Sequence, residues 1–191
     1  MNAKWKSGAL AAAAVLAVSA VGVASAERDA TGPTAAASAP PEMRQLDFLL
    51  GSWRCTFSVP VPGGGPSTTG EVVSTVKPVL GGQWYEWNAL TVPTETSPEP
   101  KASRWLFGGW NATEGTFTAF YLDDRGHRGV STSPGARDGH VVFSGPFTTP
   151  RGPATYVDDF QPQGRNRFTD TISVKTGDQV TPGGSVDCRR T

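Results

Sequence analysis

Leu46-Asp-Phe-Leu-Leu-Gly-Ser-Trp-Arg-Cys-Thr-Phe-Ser-Val59 changes its period at Gly51. Before the glycine, Leu46, Leu49 and Leu50 recur at helical spacing behind Pro40 and Pro41. After it, Trp53, Cys55, Phe57 and Val59 alternate with Ser52, Arg54, Thr56 and Ser58. A period of two places every apolar side chain of the run on one face. The stretch predicts a short helix, a sharp glycine turn and a half-buried strand. Trp53 is then expected to plug one end of whatever the sheet encloses.

Upstream, Lys4 and Lys6 precede an Ala/Val/Leu run from Ala9 to Val23, and Ala24-Ser25-Ala26 offers small residues for cleavage. This predicts a secretory signal peptide over 1–26 and a secreted or cell-envelope location, with no stable membrane span after cleavage. A retained membrane helix is the alternative, but the run is short and rich in alanine. Processing would leave 15 basic against 17 acidic residues, a net charge of −2. That balance gives no electrostatic case for a nucleic-acid partner. Residues 27–41 are Ala, Thr, Ser and Pro with few bulky groups, which predicts a flexible linker. Residues 42–191 remain for one domain with a single core.

From Ser52 onward short Thr-, Val- and aromatic-rich runs alternate with turn residues. Strands are expected at 52–61, 69–77, 83–92, 102–110, 115–122, 128–132, 139–145, 154–161, 166–175 and 184–190. Asn111–Gly115 and Asp123–Gly126 read as hairpin loops, and Pro93–Pro100 as an exposed loop. So many antiparallel strands must hide their edges, and closing the sheet on itself does so. The expected fold is all-β: an antiparallel up-and-down barrel of about 8–10 strands with a short N-terminal helix, a two-sheet sandwich being the alternative. In such a barrel the first and last strands become neighbours. Cys55 and Cys188, the two cysteines, lie on those strands, and an oxidising compartment favours a bond between them over two buried thiols.

Gly51-Ser-Trp53 after a short helix resembles the Gly-x-Trp opening of lipocalins, avidins and fatty-acid-binding proteins, the calycin group. A longer likeness is to the bacterial lipocalin-like family known as domain of unknown function 1579. It runs through Leu46–Trp53, Leu80-Gly-Gly82, Gly109-Trp-Asn111, Gly115 and Phe117, Asp124-Arg-Gly126 and Asp138–Gly145. Asn111 stands where that family has Asp. The resemblance implies a small calycin-like barrel and no particular activity. It also implies an arginine laid over Trp53, here Arg189 or Arg190 from the last strand. Haem-binding nitrobindin-like barrels share Gly-x-Trp-Arg but hold iron through a histidine near the C-terminus. This chain has none after His140, and no cofactor is expected.

No nucleophile elbow, phosphate loop or zinc-binding motif occurs. His127 and His140 are too few for a protein-only metal site and read as a turn residue and a rim residue. The positive signal is aromatic. Phe57, Trp87, Trp105, Phe107, Phe117, Tyr121, Phe143, Tyr156 and Phe168 fall in inward phase on their strands. They either fill a dry core or line a cavity for a small hydrophobic or aromatic ligand. Asp158 and Asp170 fall in the same phase on consecutive strands. A turn centred on Gly164 would set them directly opposite, the one acid–base pair available to a cyclase- or isomerase-type enzyme. A one-residue slip would turn them to solvent instead. A cell-envelope interaction protein with a solid core is the third reading.

Overall fold

The computed structural model describes residues 38–61, 63–149 and 152–191. The signal peptide and most of the linker expected from the sequence lie outside these residues. Ser38–Pro41, assigned to the linker, already carry contacts. Gln83 Nε2 donates to the Ser38 carbonyl at 3.0 Å, and the first helix begins at Pro41.

That helix, Pro41–Leu49, is a 3-10 helix. Its turn of three residues stacks Met43, Leu46 and Leu49 on one face, and these three are its buried residues. Leu50 already belongs to the extended chain that follows. Gly51 then turns at φ 119°, and a Cβ there would lie 2.1 Å from a guanidinium nitrogen of Arg190, so only glycine fits.

Eleven strands follow among the described residues. They are β1 (Gly51–Val59), β2 (Thr68–Val79), β3 (Trp84–Thr91), β4 (Ala102–Asn111), β5 (Thr116–Asp123), β6 (Arg128–Ser133), β7 (Ala136–Arg137), β8 (His140–Thr149), β9 (Gly152–Pro162), β10 (Arg167–Thr176) and β11 (Gln179–Arg190). All pairings are antiparallel, in the order β6-β5-β4-β3-β2-β1-β11-β10-β9-β8-β7, and β6 also pairs with β8. The sheet therefore closes into an up-and-down barrel of ten strands, with the two-residue β7 as a short arm on β8. The expected strands are all present. Several run longer than their apolar pattern, because backbone pairing continues past the last buried side chain.

Two seams close the ring. At the first, β1 meets β11 with Cys55 opposite Cys188, and the two form the disulfide anticipated from the sequence. At the second, β6 meets β8 at Arg128–Thr148, Gly129–Phe147 and Thr132–Ser144, with a gap between. Pro146 lies in that gap and has no N–H to give. Beside it, a Cβ on Gly145 would lie 2.1 Å from the Val130 carbonyl, so the strands touch there backbone to backbone.

The helix caps one end of the barrel. Phe48 packs on Phe160 and Phe168, Tyr85 Oη donates to Asp47 at 2.6 Å, and the Ala136 N–H donates to Gln45 at 2.8 Å. Trp53 lies just inside, 2% exposed, with its indole N–H on the Leu49 carbonyl. Arg190 lies 4.3 Å from the ring centroid of Trp53, as the resemblance implied, and donates to the Leu50 and Arg165 carbonyls.

Candidate functional site: the open end of the barrel

Every strand sends alternate side chains into the lumen. Near the helix they are sealed: Phe107, Phe117, Phe143 and Phe168 have no exposed surface. Towards the other end the inward residues become half-buried: Phe57, Trp105, Tyr121, Phe147, Tyr156, Ile172 and Val186. A side chain that points into a closed barrel can meet solvent only through an open end. The lumen is therefore open at the end away from the helix.

The nine aromatic residues singled out in the sequence divide accordingly. Phe57, Trp105, Tyr121 and Tyr156 belong to the open half. Trp87 is buried midway, its ring 5.8 Å from Phe168. Phe107, Phe117, Phe143 and Phe168 are packed core in the capped half. The open half also holds Phe147, which joins Tyr121 (5.0 Å) to Tyr156 (4.2 Å), while Trp105 meets Tyr121 at 4.6 Å. The result is a continuous aromatic belt across β4, β5, β8 and β9. Sequence reading missed Phe147 because Gly145-Pro146 suggested that the strand had ended.

His127, read as a solvated turn residue, is instead tied into the rim. Its Nδ1 lies 2.6 Å from Asp123 Oδ2, and the Asp123 carboxylate is 1% exposed. Tyr121 Oη, the Arg125 guanidinium and the backbone N–H groups of Arg125 and His127 also donate to Asp123. Burial opposes its charge, but the hydrogen bonds from His127 and Arg125 outweigh burial and hold its pKa at about 2. Burial, and then the Asp123 charge, push Tyr121 above its ordinary value. The signal in the sequence was a turn Asp four residues before a His. His140, by contrast, sits outside the lumen on Asp159, at 2.8 Å.

Asp158 and Asp170 both point inward, 4% and 7% exposed. The expected direct opposition is corrected. Asp158 faces Ile172 and Asp170 faces Phe160, so the two residues are diagonal neighbours, at strand positions about 7–8 Å apart. The turn is centred on Arg165 rather than Gly164, because the Gln163 N–H bonds to the Arg167 carbonyl and closes a longer loop. A shift of two residues changes the partner and preserves the face. Burial pushes Asp158 up to about 7. Burial and the neighbouring Asp158 charge push Asp170 well above the carboxylate range.

Four buried side-chain atoms have no hydrogen-bond partner among the described residues: Ser74 Oγ, Trp87 Nε1, Ser131 Oγ and Asp170 Oδ1. All four residues are in inward phase. Buried polar atoms of this kind are rare enough to need a partner. Grooves of about 900 Å³ and 530 Å³ also occur; outward-facing residues such as Arg54, Val73, Leu90 and Leu122 border the first with inward-phase Trp53, Ser74 and Asp123, and Thr56, Thr69, Thr171 and Asp187 border the second with inward-phase Phe57, Asp170 and Val186. No three His, Cys, Asp or Glu side chains among the described residues are placed to hold a metal.

No protein-family profile matches the chain, and no curated protein matches it. A solved structure does, the crystal structure of Rv2717c from M. tuberculosis. The TM-score is 0.62 at 11% identity, covering 81% of this chain and 99% of that one. This neighbour shows the fold alone. The lipocalin-like, all-β barrel stands on that likeness and on the strand pairing.

Proposed function

We propose that this is a secreted barrel that binds a small hydrophobic or aromatic molecule in its lumen, and that it is a divergent member of the lipocalin-like family its motifs resemble. The observation that carries the binding reading is the one-sided exposure of inward-facing aromatic rings. A barrel built only as a solid support would gain by burying them. Instead, apolar surface is held open to solvent inside a rigid wall, which is how small-molecule sites are made. The charged side chains of the signal region and the buried disulfide support a secreted location.

The experiment is titration of the protein with the neutral probe N-phenyl-1-naphthylamine, read by its fluorescence, alongside native mass spectrometry of protein recovered from culture medium. Saturable binding is expected, weakened about tenfold or more by Trp105→Ala or Tyr156→Ala, each of which removes a large apolar contact. Absence of both probe binding and any co-purifying small molecule would overturn the reading and leave a cell-envelope support. A second reading, a proton-transfer enzyme of cyclase or isomerase type, is favoured by one observation: a buried carboxylate pair in which one member titrates near neutrality.

A further inference from the structure

Two carboxylates lie inside this barrel, and among the described residues no positively charged side chain pairs with them. The titratable groups that share the inner wall are Tyr85 on β3, Tyr121 and Asp123 on β5, His127 at the start of β6, and Tyr156 on β9. Of these, Tyr85, Tyr121, Asp123 and His127 are held by other partners. Tyr85 is spent on Asp47, and Tyr121 and His127 are spent on Asp123 together with Arg125. Asp159, next in the chain, turns outward to His140. Arg190 is committed at the capped end to Trp53 and two backbone carbonyls.

The surroundings of the pair are aromatic. Phe143 lies directly opposite Asp158 on β8, and Phe160 directly opposite Asp170 on β9. Aromatic faces carry negative potential and attract cations. One Asp170 oxygen has no partner although the residue is only 7% exposed, and Trp87 Nε1 and Ser131 Oγ, on residues each 8% exposed, are likewise unpartnered and in inward phase. Buried carboxylate oxygens, one of them unpartnered, set opposite aromatic rings form a site that repels anions and gains from a compact positive group.

Resting on the binding reading above, we propose that the lumen selects a cationic ligand: an ammonium or amidinium head seated at Asp158 and Asp170, with a flat apolar body between the rings of the open half. The charge bookkeeping is consistent. With Asp170 held protonated and Asp158 ionised, the pair carries a single negative charge, matched to a monocation. Protonation of Asp158, which titrates at about 7, removes that charge, so cation binding weakens as pH falls below neutrality.

Three probes with one ring system separate the possibilities by calorimetry: naphthalen-2-ylmethylammonium, naphthalen-2-ylmethanol and 2-naphthoate. At about pH 8 the ammonium is expected to bind about tenfold tighter than the alcohol and the naphthoate weakest, an advantage of the size an unscreened ion contact gives. Below pH 7 the ammonium affinity is expected to drop by about tenfold per unit while the alcohol stays constant. In the Asp158→Asn/Asp170→Asn variant, checked for folding by circular dichroism, the ammonium is expected to lose its advantage over the alcohol. The pH series on the unaltered protein carries the test if that variant does not fold. If the alcohol binds and the ammonium binds no tighter at any pH, the cation inference is overturned and the binding reading stands. If none of the three binds, the binding reading itself falls, and the cation inference with it.

Discussion

Arg190 shows how much one side chain can hold. Its guanidinium covers the Trp53 ring, closes over Gly51, donates to Leu50 at 2.7 Å and donates to Arg165 in the β9–β10 loop at 2.9 Å. It joins the start of the first strand, the end of the last strand and the turn between two others. Arg190→Ala is expected to lower stability by about 2–3 kcal/mol, less than the full sum of a cation–π contact and two charged hydrogen bonds because the guanidinium is exposed. The urea midpoint would fall accordingly. Arg190→Lys should recover little of this, because an ammonium cannot cover the ring and reach two diverging carbonyls at once. A midpoint within experimental scatter of the parent protein for both variants would contradict the role given to this residue.

The β9–β10 hairpin is where the sequence was half legible. Alternation alone placed Asp158 and Asp170 inward, because a period of two is fixed by the backbone. Their partners were not legible, because the turn centre depends on a loop hydrogen bond and on Arg190 reaching Arg165 from 25 residues away. The same division runs through the other elements. The alternation in β1, the disulfide and the Trp53–Arg190 stack followed from local pattern, compartment and resemblance. The Asp123–His127 pair did not, since a turn sequence is the same whether its histidine faces solvent or bends back over the rim. Phe147 was hidden by the proline before it. The hairpin also sets a pH response. Asp158 titrates at about 7 when folded, above its ordinary 3.8, so the folded state keeps a proton that the unfolded chain releases. Its contribution is therefore fully present below about pH 4, is lost as pH rises through 7, and is worth at most about 4 kcal/mol. Asp170, shifted the same way, adds to that slope. Asp123, shifted down to about 2, acts in the opposite sense and only in acid below the ordinary carboxylate range. Melting temperatures between about pH 4 and 8 should fall less steeply for Asp158→Asn than for the parent chain. An unchanged slope would mean that Asp158 is not the titrating group.

At the scale of the whole molecule, the disulfide closes a loop with a sequence separation of 133 and joins the first strand to the last. On the chain-entropy view such a clasp stabilises by about 4–5 kcal/mol. Cys55→Ala/Cys188→Ala should still form a barrel, since the β1–β11 ladder extends on both sides of the bond, but should melt markedly lower. Both cysteines are almost completely buried, so reductant should leave the native protein unaffected until denaturant is added. Rapid reduction under native conditions would contradict this.

The two seams then give the barrel an uneven mechanical character. One is welded by a covalent bond; the other rests on an interrupted ladder with a proline in its gap. If the wall breathes, it parts along β6–β8 and swings like a book whose spine is β1–β11. In hydrogen–deuterium exchange the amides of Val130 and Ser131 should take up deuterium ahead of those flanking Cys55 and Cys188. The interrupted seam begins at Arg128 and Gly129, beside the rim aromatics, so under the proposed binding function a guest too wide for the mouth has a slot at its edge that can widen while the ring stays tied.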